Sequence, residues 1–402
     1  VKNLIVLLMA ALILASGCVA QNARLDRVMQ EFIDQEKVAG AVALVLKDGK
    51  PIYEKAFGWS DREAKRPMKV DSLFRIASQT KALTSAAILA LVEDGKIGIN
   101  EPVGNFIGSF KKTSVALKDG TILPATRPIT IAHLLTHTAG ISYGREPQIS
   151  AKYVEKGLGA AAGFGWYTAD KNEGVCATME RLGTLPFVEQ PGEVYVYGYN
   201  TDILGCVVEK ASGMSLDAFL KARITGPLGL KDTRFYVPAS EKERLATVYM
   251  TGANGKVERA PEGAQGQGHY VEGPRVSFSG GAGLTSTARD YARFLETIRR
   301  GGELDGVRVL GSRAVGLMTT NQTGLLHSKA GLGFGFGFQT VDRYGADGMA
   351  GVGAFGWGGA YGTKYQVDPK SGMVVVLMIQ MLPNGTDIQQ KFMTSVYQAV
   401  VE

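Results

Sequence analysis

Three cysteines in 402 residues are too few for a disulfide framework, so a hydrophobic core has to hold this fold. Charge of one sign is never concentrated. The net charge of +6 comes from 44 basic and 38 acidic residues, without a run of five or more like charges. That excludes a nucleic-acid-binding tract. Long apolar runs are also missing: the stretch Leu4 to Ala15 is too short to span a bilayer. What remains is an ordinary globular composition, 45% hydrophobic and 20% charged, long enough for two subdomains.

The short apolar stretch has another use. Lys2 precedes it and Ser16-Gly17-Cys18 follows, the layout of an export signal. Ala15-Ser16-Gly17-Cys18 resembles a bacterial lipoprotein cleavage site, which would make Cys18 the lipidated first residue; cleavage after Ala20 is the alternative. Either implies an exported protein, periplasmic and membrane-anchored through Cys18, or secreted. Cys176 and Cys206 then remain. Cys206 lies in an apolar helical pattern, and both read as buried free thiols.

Asp48-Gly49 between the β-prone runs Ala41 to Lys47 and Pro51 to Gly58 predicts a hairpin. Leu83, Ala86, Ala87, Ala90 and Leu91 keep a helical period from Gln79 to Glu93, with Gly95 as its stop. Further helices are expected over Ile129 to Thr138, over Thr285 to Arg299 with Thr287, Asp290 and Arg293 facing water, and over Ile388 to Val401. Tyr143 to Pro191 and Asn254 to Gly283 have weak periodicity and read as loops. Short strands are expected at Gly333 to Val341, Gly351 to Trp357, Tyr361 to Asp368 and Met373 to Met381. Strands at both ends and helices between predict an α/β (α+β) fold. Its antiparallel sheet would come from both chain ends, 21–75 and 275–402, around a mainly helical insertion, 76–274.

Ser78-Gln79-Thr80-Lys81 opens the first long helix. Ser-x-x-Lys alone is weak, because this composition yields about one match by chance, and Ser109-Phe110-Lys111-Lys112 is a second. Context separates them: Ser109 lies in a lysine-rich segment, whereas Ser78 precedes an apolar helix that would put Lys81 on its face. A serine hydroxyl needs a base. Lysine and tyrosine each sit about 4 kcal/mol from the reactive form at neutral pH. An ammonium and a phenolate about 4 Å apart attract by about 4 kcal/mol at an effective dielectric near 20. One close pair can therefore supply the base.

Ser78-Gln79-Thr80-Lys81, Tyr197-Gly198-Tyr199 and Trp357-Gly358-Gly359, in that order, resemble the class C β-lactamase superfamily of serine hydrolases, and within it the family VIII carboxylesterases. The runs Pro128 to Gly140 and Ser279 to Thr287 support this, and the similarity covers Leu25 to the C-terminus. The resemblance implies a β-lactamase/transpeptidase-like fold and Ser78 as the acylated nucleophile. It implies Lys81 and Tyr197 as proton-transfer partners, and the backbone N–H groups of Ser78 and Ala360 as the oxyanion hole. Trp357, Gly358, Gly359 and Tyr199 would contact substrate. No cofactor or metal is implied.

Two departures matter. Trp357-Gly358-Gly359 stands where the lactamases carry Lys-Thr-Gly, and Tyr199 stands where they carry Asn. Both favour short, uncharged acyl esters over penicillins. Lys364 could restore a carboxylate contact but reads as an exposed strand lysine. Gly140-Ile141-Ser142-Tyr143-Gly144 matches the α/β-hydrolase elbow, yet a helix precedes it where a strand should, so it reads as a turn. His133 and His137 are spaced as in zinc proteases, but Leu134 replaces the needed Glu and they read as packing residues. A chance aromatic cluster at Tyr195, Tyr197 and Tyr199, and core packing at Trp357, are the bland readings of those motifs. The expectation is an exported serine carboxylesterase. A β-lactam or D-amino-acid peptide hydrolase, or a non-catalytic cell-wall binding protein, are the alternatives on the same scaffold.

Overall fold

Asp48 and Gly49 take positive φ of 51° and 80°, as a two-residue turn between twisted strands requires. In this computed structural model, which describes residues 22–158 and 171–400, they join β1 (Gly40–Lys47) to β2 (Lys50–Asp61). The proposed leader and Cys18 lie outside the described residues. The main sheet is completed by β3 (Arg66–Pro67), β4 (Leu332–Phe334), β5 (Gln339–Val341), β6 (Phe355–Gly358), β7 (Lys364–Asp368) and β8 (Met373–Ile379). Its order is β4-β5-β6-β7-β8-β1-β2-β3, and every neighbouring pair is antiparallel. β1 from one chain end lies against β8 from the other, with Ala41 opposite Ile379 and Lys47 opposite Met373. The antiparallel sheet built from both ends is therefore present.

β8 reads Met-Val-Val-Val-Leu-Met-Ile and is buried throughout, because both faces of the sheet are covered. Val42, Leu44, Val374 and Val376 face one core. Ala43, Val45, Val375 and Leu377 face another, shared with Leu25, Met29 and Phe32 of helix α1 (22–34) and with Phe392 and Val396 of the C-terminal helix Ile388–Val400.

On the first face sits α2 (Thr80–Glu93), buried continuously from Thr80 to Leu91. A helix apolar on all sides belongs inside a core. Gly95 ends it at φ 68°, donating to Val92 O at 3.0 Å. The helix expected over Ile129 to Thr138 shrinks to α3 (Ile131–Leu135). Thr130 caps it reciprocally with His133, and His137 leaves it at φ 56°, so the two histidines do not share a helix face. Within the irregular run from Tyr143 lies α4 (Val175–Leu182); α5 (Asn200–Ser212) follows Tyr199, and α6 (Ala288–Arg299) packs on the sheet. Thr287 does not face water. It is buried as the N-cap of α6, accepting from the Asp290 N–H at 3.2 Å.

The free-thiol reading of Cys176 and Cys206 is corrected: they form a disulfide joining α4 to α5, with Cα atoms 4.9 Å apart. Each cysteine lies on the side of its helix that meets the other, a relation invisible in either local pattern. Closing a 30-residue separation stabilises by about 3–4 kcal/mol in the chain-entropy picture. Reduction should lower the melting temperature by about 4 °C, measured by calorimetry with and without reductant. An unchanged melting temperature would mean that the bridge does not form.

Candidate active site

Ile76 anchors the approach to Ser78 by donating its N–H to Leu284 O at 3.1 Å. Ala77 then takes φ 41°, a strained left-handed conformation for a residue with a side chain. The kink turns the chain into the 3₁₀ turn Ala77–Gln79 ahead of α2. Ser78 is half-buried while Ala77 and Gln79 are buried. In that first turn its backbone N–H lacks an intrahelical acceptor.

Lys81 lies one turn on and is 1% exposed. Its ammonium donates to Gly281 O at 2.8 Å, to Ser78 Oγ at 3.3 Å and to Tyr143 Oη at 3.3 Å, and stands 4.7 Å from the Tyr197 ring centre. The Gly281 carbonyl is itself held from behind. Asp202, fully buried on α5, accepts from Gly281 N–H at 3.2 Å and from Ser279 Oγ at 2.6 Å through one carboxylate oxygen. Thr84 Oγ1 donates to Gly280 O at 2.8 Å. A Cβ on Gly281 would stand 2.4 Å from the other Asp202 oxygen, so only glycine fits between this carboxylate and the lysine. Burial pushes the Asp202 carboxyl up, and the nearby Lys81 charge with these hydrogen bonds opposes the rise.

Two tyrosines meet this lysine. Tyr197 lines the cleft, its Oη accepting from Trp357 Nε1 at 3.2 Å, and it makes no hydrogen bond to Ser78 or Lys81 among the described residues. The phenol bonded to Lys81 is Tyr143, which the sequence reading passed over. Tyr143 sits in the Gly140–Gly144 turn. Gly140 and Gly144 have φ of 77° and 75°, and Ser142 Oγ donates to Glu146 at 2.6 Å. That serine is buried and committed to the turn; the turn delivers its neighbour. Burial, and then the adjacent Tyr197 phenol, hold the Tyr143 phenol well above its usual range, so it keeps its proton. Nothing in the spacing of Tyr143 ties it to Lys81; a tyrosine beside a glycine-flanked turn is the only cue.

Gly198 lets the tyrosine segment approach closely: a Cβ there would lie 2.3 Å from Ile141 O. Tyr199 does not reach the cleft. It is 1% exposed and donates to Leu158 O at 2.9 Å. Behind Tyr197 lies His137, its ring 4.7 Å from the tyrosine ring and its Nδ1 2.9 Å from Asn200 Nδ2. Burial, and then the Lys81 charge, push its imidazole well below its usual value, so it stays neutral. His133 is used in its helix cap.

The opposite wall is the end of β6. A Cβ on Gly359 would lie 2.4 Å from Ile76 O and 2.2 Å from Thr363 Oγ1, so glycine is required for this edge to close on the serine turn. The next residue, Ala360, is half-buried and its N–H has no acceptor among the described residues. Ser78, Tyr143, Tyr197, Trp357 and Ala360 share a cleft of about 580 Å³. Lys364 lines it too and is half-buried, not the exposed strand lysine expected.

The Beta-lactamase family profile matches residues 25–393. The chain belongs to the beta-lactamase family. Esterase EstB of Burkholderia gladioli is 33% identical over 379 residues, covering 90% of this chain and 91% of the relative. Lovastatin esterase of Penicillium rubens is 29% identical, covering 93% and 98%. Among solved structures, EstCE1, a hydrolase with promiscuous acyltransferase activity, superposes with a TM-score of 0.78 at 27% identity, over 96% of this chain and 99% of that one. The fold is thus that of the β-lactamases and their relatives, and the protein is a serine hydrolase with esterase and acyltransferase homologues.

Proposed function

We propose that this beta-lactamase family member is a serine carboxylesterase that hydrolyses short acyl esters through an acyl-enzyme on Ser78. The observation that carries the reading is the position of Lys81, saturated by Ser78 Oγ, Tyr143 Oη and Gly281 O beneath an open cleft. In this mechanism Tyr197, acting as the phenolate beside the Lys81 ammonium, takes the Ser78 Oγ proton as that oxygen attacks the ester carbonyl. The carbonyl oxygen, now an anion, is received by the N–H groups of Ser78 and Ala360. Tyr197 opens on the cleft and can return the proton to the leaving alcohol; water then repeats the sequence on the acyl-enzyme. Tyr143 stays protonated and orients Lys81. The esterase relatives support this substrate class.

The test is side-by-side turnover of p-nitrophenyl butyrate and a chromogenic cephalosporin. The ester should be favoured by at least about 10²-fold in kcat/KM; preference for the cephalosporin would assign the chain to lactam hydrolysis. Export, with Cys18 as the lipid anchor, belongs to the same proposal. The Cys176–Cys206 bridge supports it, since such bridges persist in oxidising compartments.

A further inference from the structure

Lys364 is set directly across the strand pair from Gly358. Because Gly358 has no side chain, the lysine stem lies over it, with Cδ 3.9 Å from where a Cβ would stand. The side chain thereby joins the lining of the catalytic cleft. The residue is half-buried, and its ammonium has no hydrogen-bond or ion-pair partner among the described residues. Arg145 adds a second cation to the lining; the acid there, Glu146, already receives the Ser142 hydroxyl. The cleft is therefore positive on balance, with one cation unanswered. A cation withdrawn in part from water gains most from an anionic partner that arrives with the ligand.

We infer that the ester acted on carries a carboxylate, and that Lys364 receives it. This rests on the esterase reading above and refines its substrate class. Gly358 is two residues before Ala360, a span of at most about 7 Å, and the lysine stem crosses over Gly358. The lysine thus stands on the same wall as the proposed oxyanion donor, a few carbons' reach from the scissile carbonyl. The lysine comes from the neighbouring strand, which is why the absence of Lys at position 357 misdirects the reading toward uncharged substrates.

Two matched pairs of esters test the inference. p-Nitrophenyl hydrogen glutarate against p-nitrophenyl methyl glutarate places the charge on the acyl half. p-(Butyryloxy)benzoate against its methyl ester places it on the alcohol half. In one pair the wild-type protein should prefer the anionic ester about tenfold in kcat/KM, and 0.5 M salt should shrink that preference. Lys364→Gln should bring the ratio to about one, and Lys364→Arg should retain it. Equal or lower kcat/KM for the anionic ester in both pairs overturns the inference while leaving the esterase reading intact, as does a ratio unmoved by Lys364→Gln. Turnover of none of the four esters overturns both.

Discussion

Ser78→Ala should lower kcat for p-nitrophenyl butyrate by about 10⁴-fold or more without moving the melting temperature measurably. Ser78 is half-buried in the cleft, and among the described residues its hydroxyl makes one side-chain bond, which it accepts from Lys81. Its removal costs no packing, so activity and stability should separate cleanly. The wild-type protein should take one fluorophosphonate equivalent, located on the peptide containing Ser78 by mass spectrometry, and the variant none. A variant that still labels and turns over ester would move the nucleophile elsewhere. Ser109, the other serine of a Ser-x-x-Lys match, is the comparison to make. It packs against the α4 side of the helical layer, where a Cβ on Gly183 would meet its Oγ at 2.2 Å, and it does not line the cleft.

The second large effect distinguishes the two phenols. Tyr197→Phe should lower kcat by about 10²–10³-fold, the range for losing a positioned proton-transfer group, with a smaller change in KM. Tyr143→Phe should cost about tenfold, because that hydroxyl stays protonated and serves to hold Lys81. The geometry makes the contrast sharp. Both phenols line the cleft, but Tyr143 is bonded to the lysine, whereas Tyr197 is anchored by Trp357. Pre-steady-state acylation and deacylation rates for both variants would show where each acts. If Tyr143→Phe proved the more damaging in both steps, the proton relay would run through Tyr143 and Tyr197 would be a wall residue.

What could be read in advance follows from the range of the causes. The Asp48-Gly49 hairpin depends on two residues preferring positive φ, and the stop of α2 depends on one glycine, so both were legible. The contact of Lys81 with Ser78 at the start of α2 was legible because helix, serine and lysine are neighbours in sequence. The end of α3 was not, since His137 is drawn out of the helix by contacts with Asn200 and Tyr197 sixty residues on. The Cys176–Cys206 bridge, the approach of Tyr143 to Lys81 and the inward aim of Lys364 have the same origin. Each is settled by how distant segments pack, and no local pattern encodes it.

The pairing of β1 with β8 has a consequence for synthesis. The central strand β8 leaves the ribosome long after Ser78 and Lys81, and so does the Trp357-Gly358-Gly359 wall. A nascent chain carrying Ser78 and Lys81 therefore has neither that wall nor a completed sheet until β6 to β8 have been made. Contacts this far apart in the chain also slow folding. Loss of β8 and the helix Ile388–Val400 would leave β1 and α1 without the core they close upon.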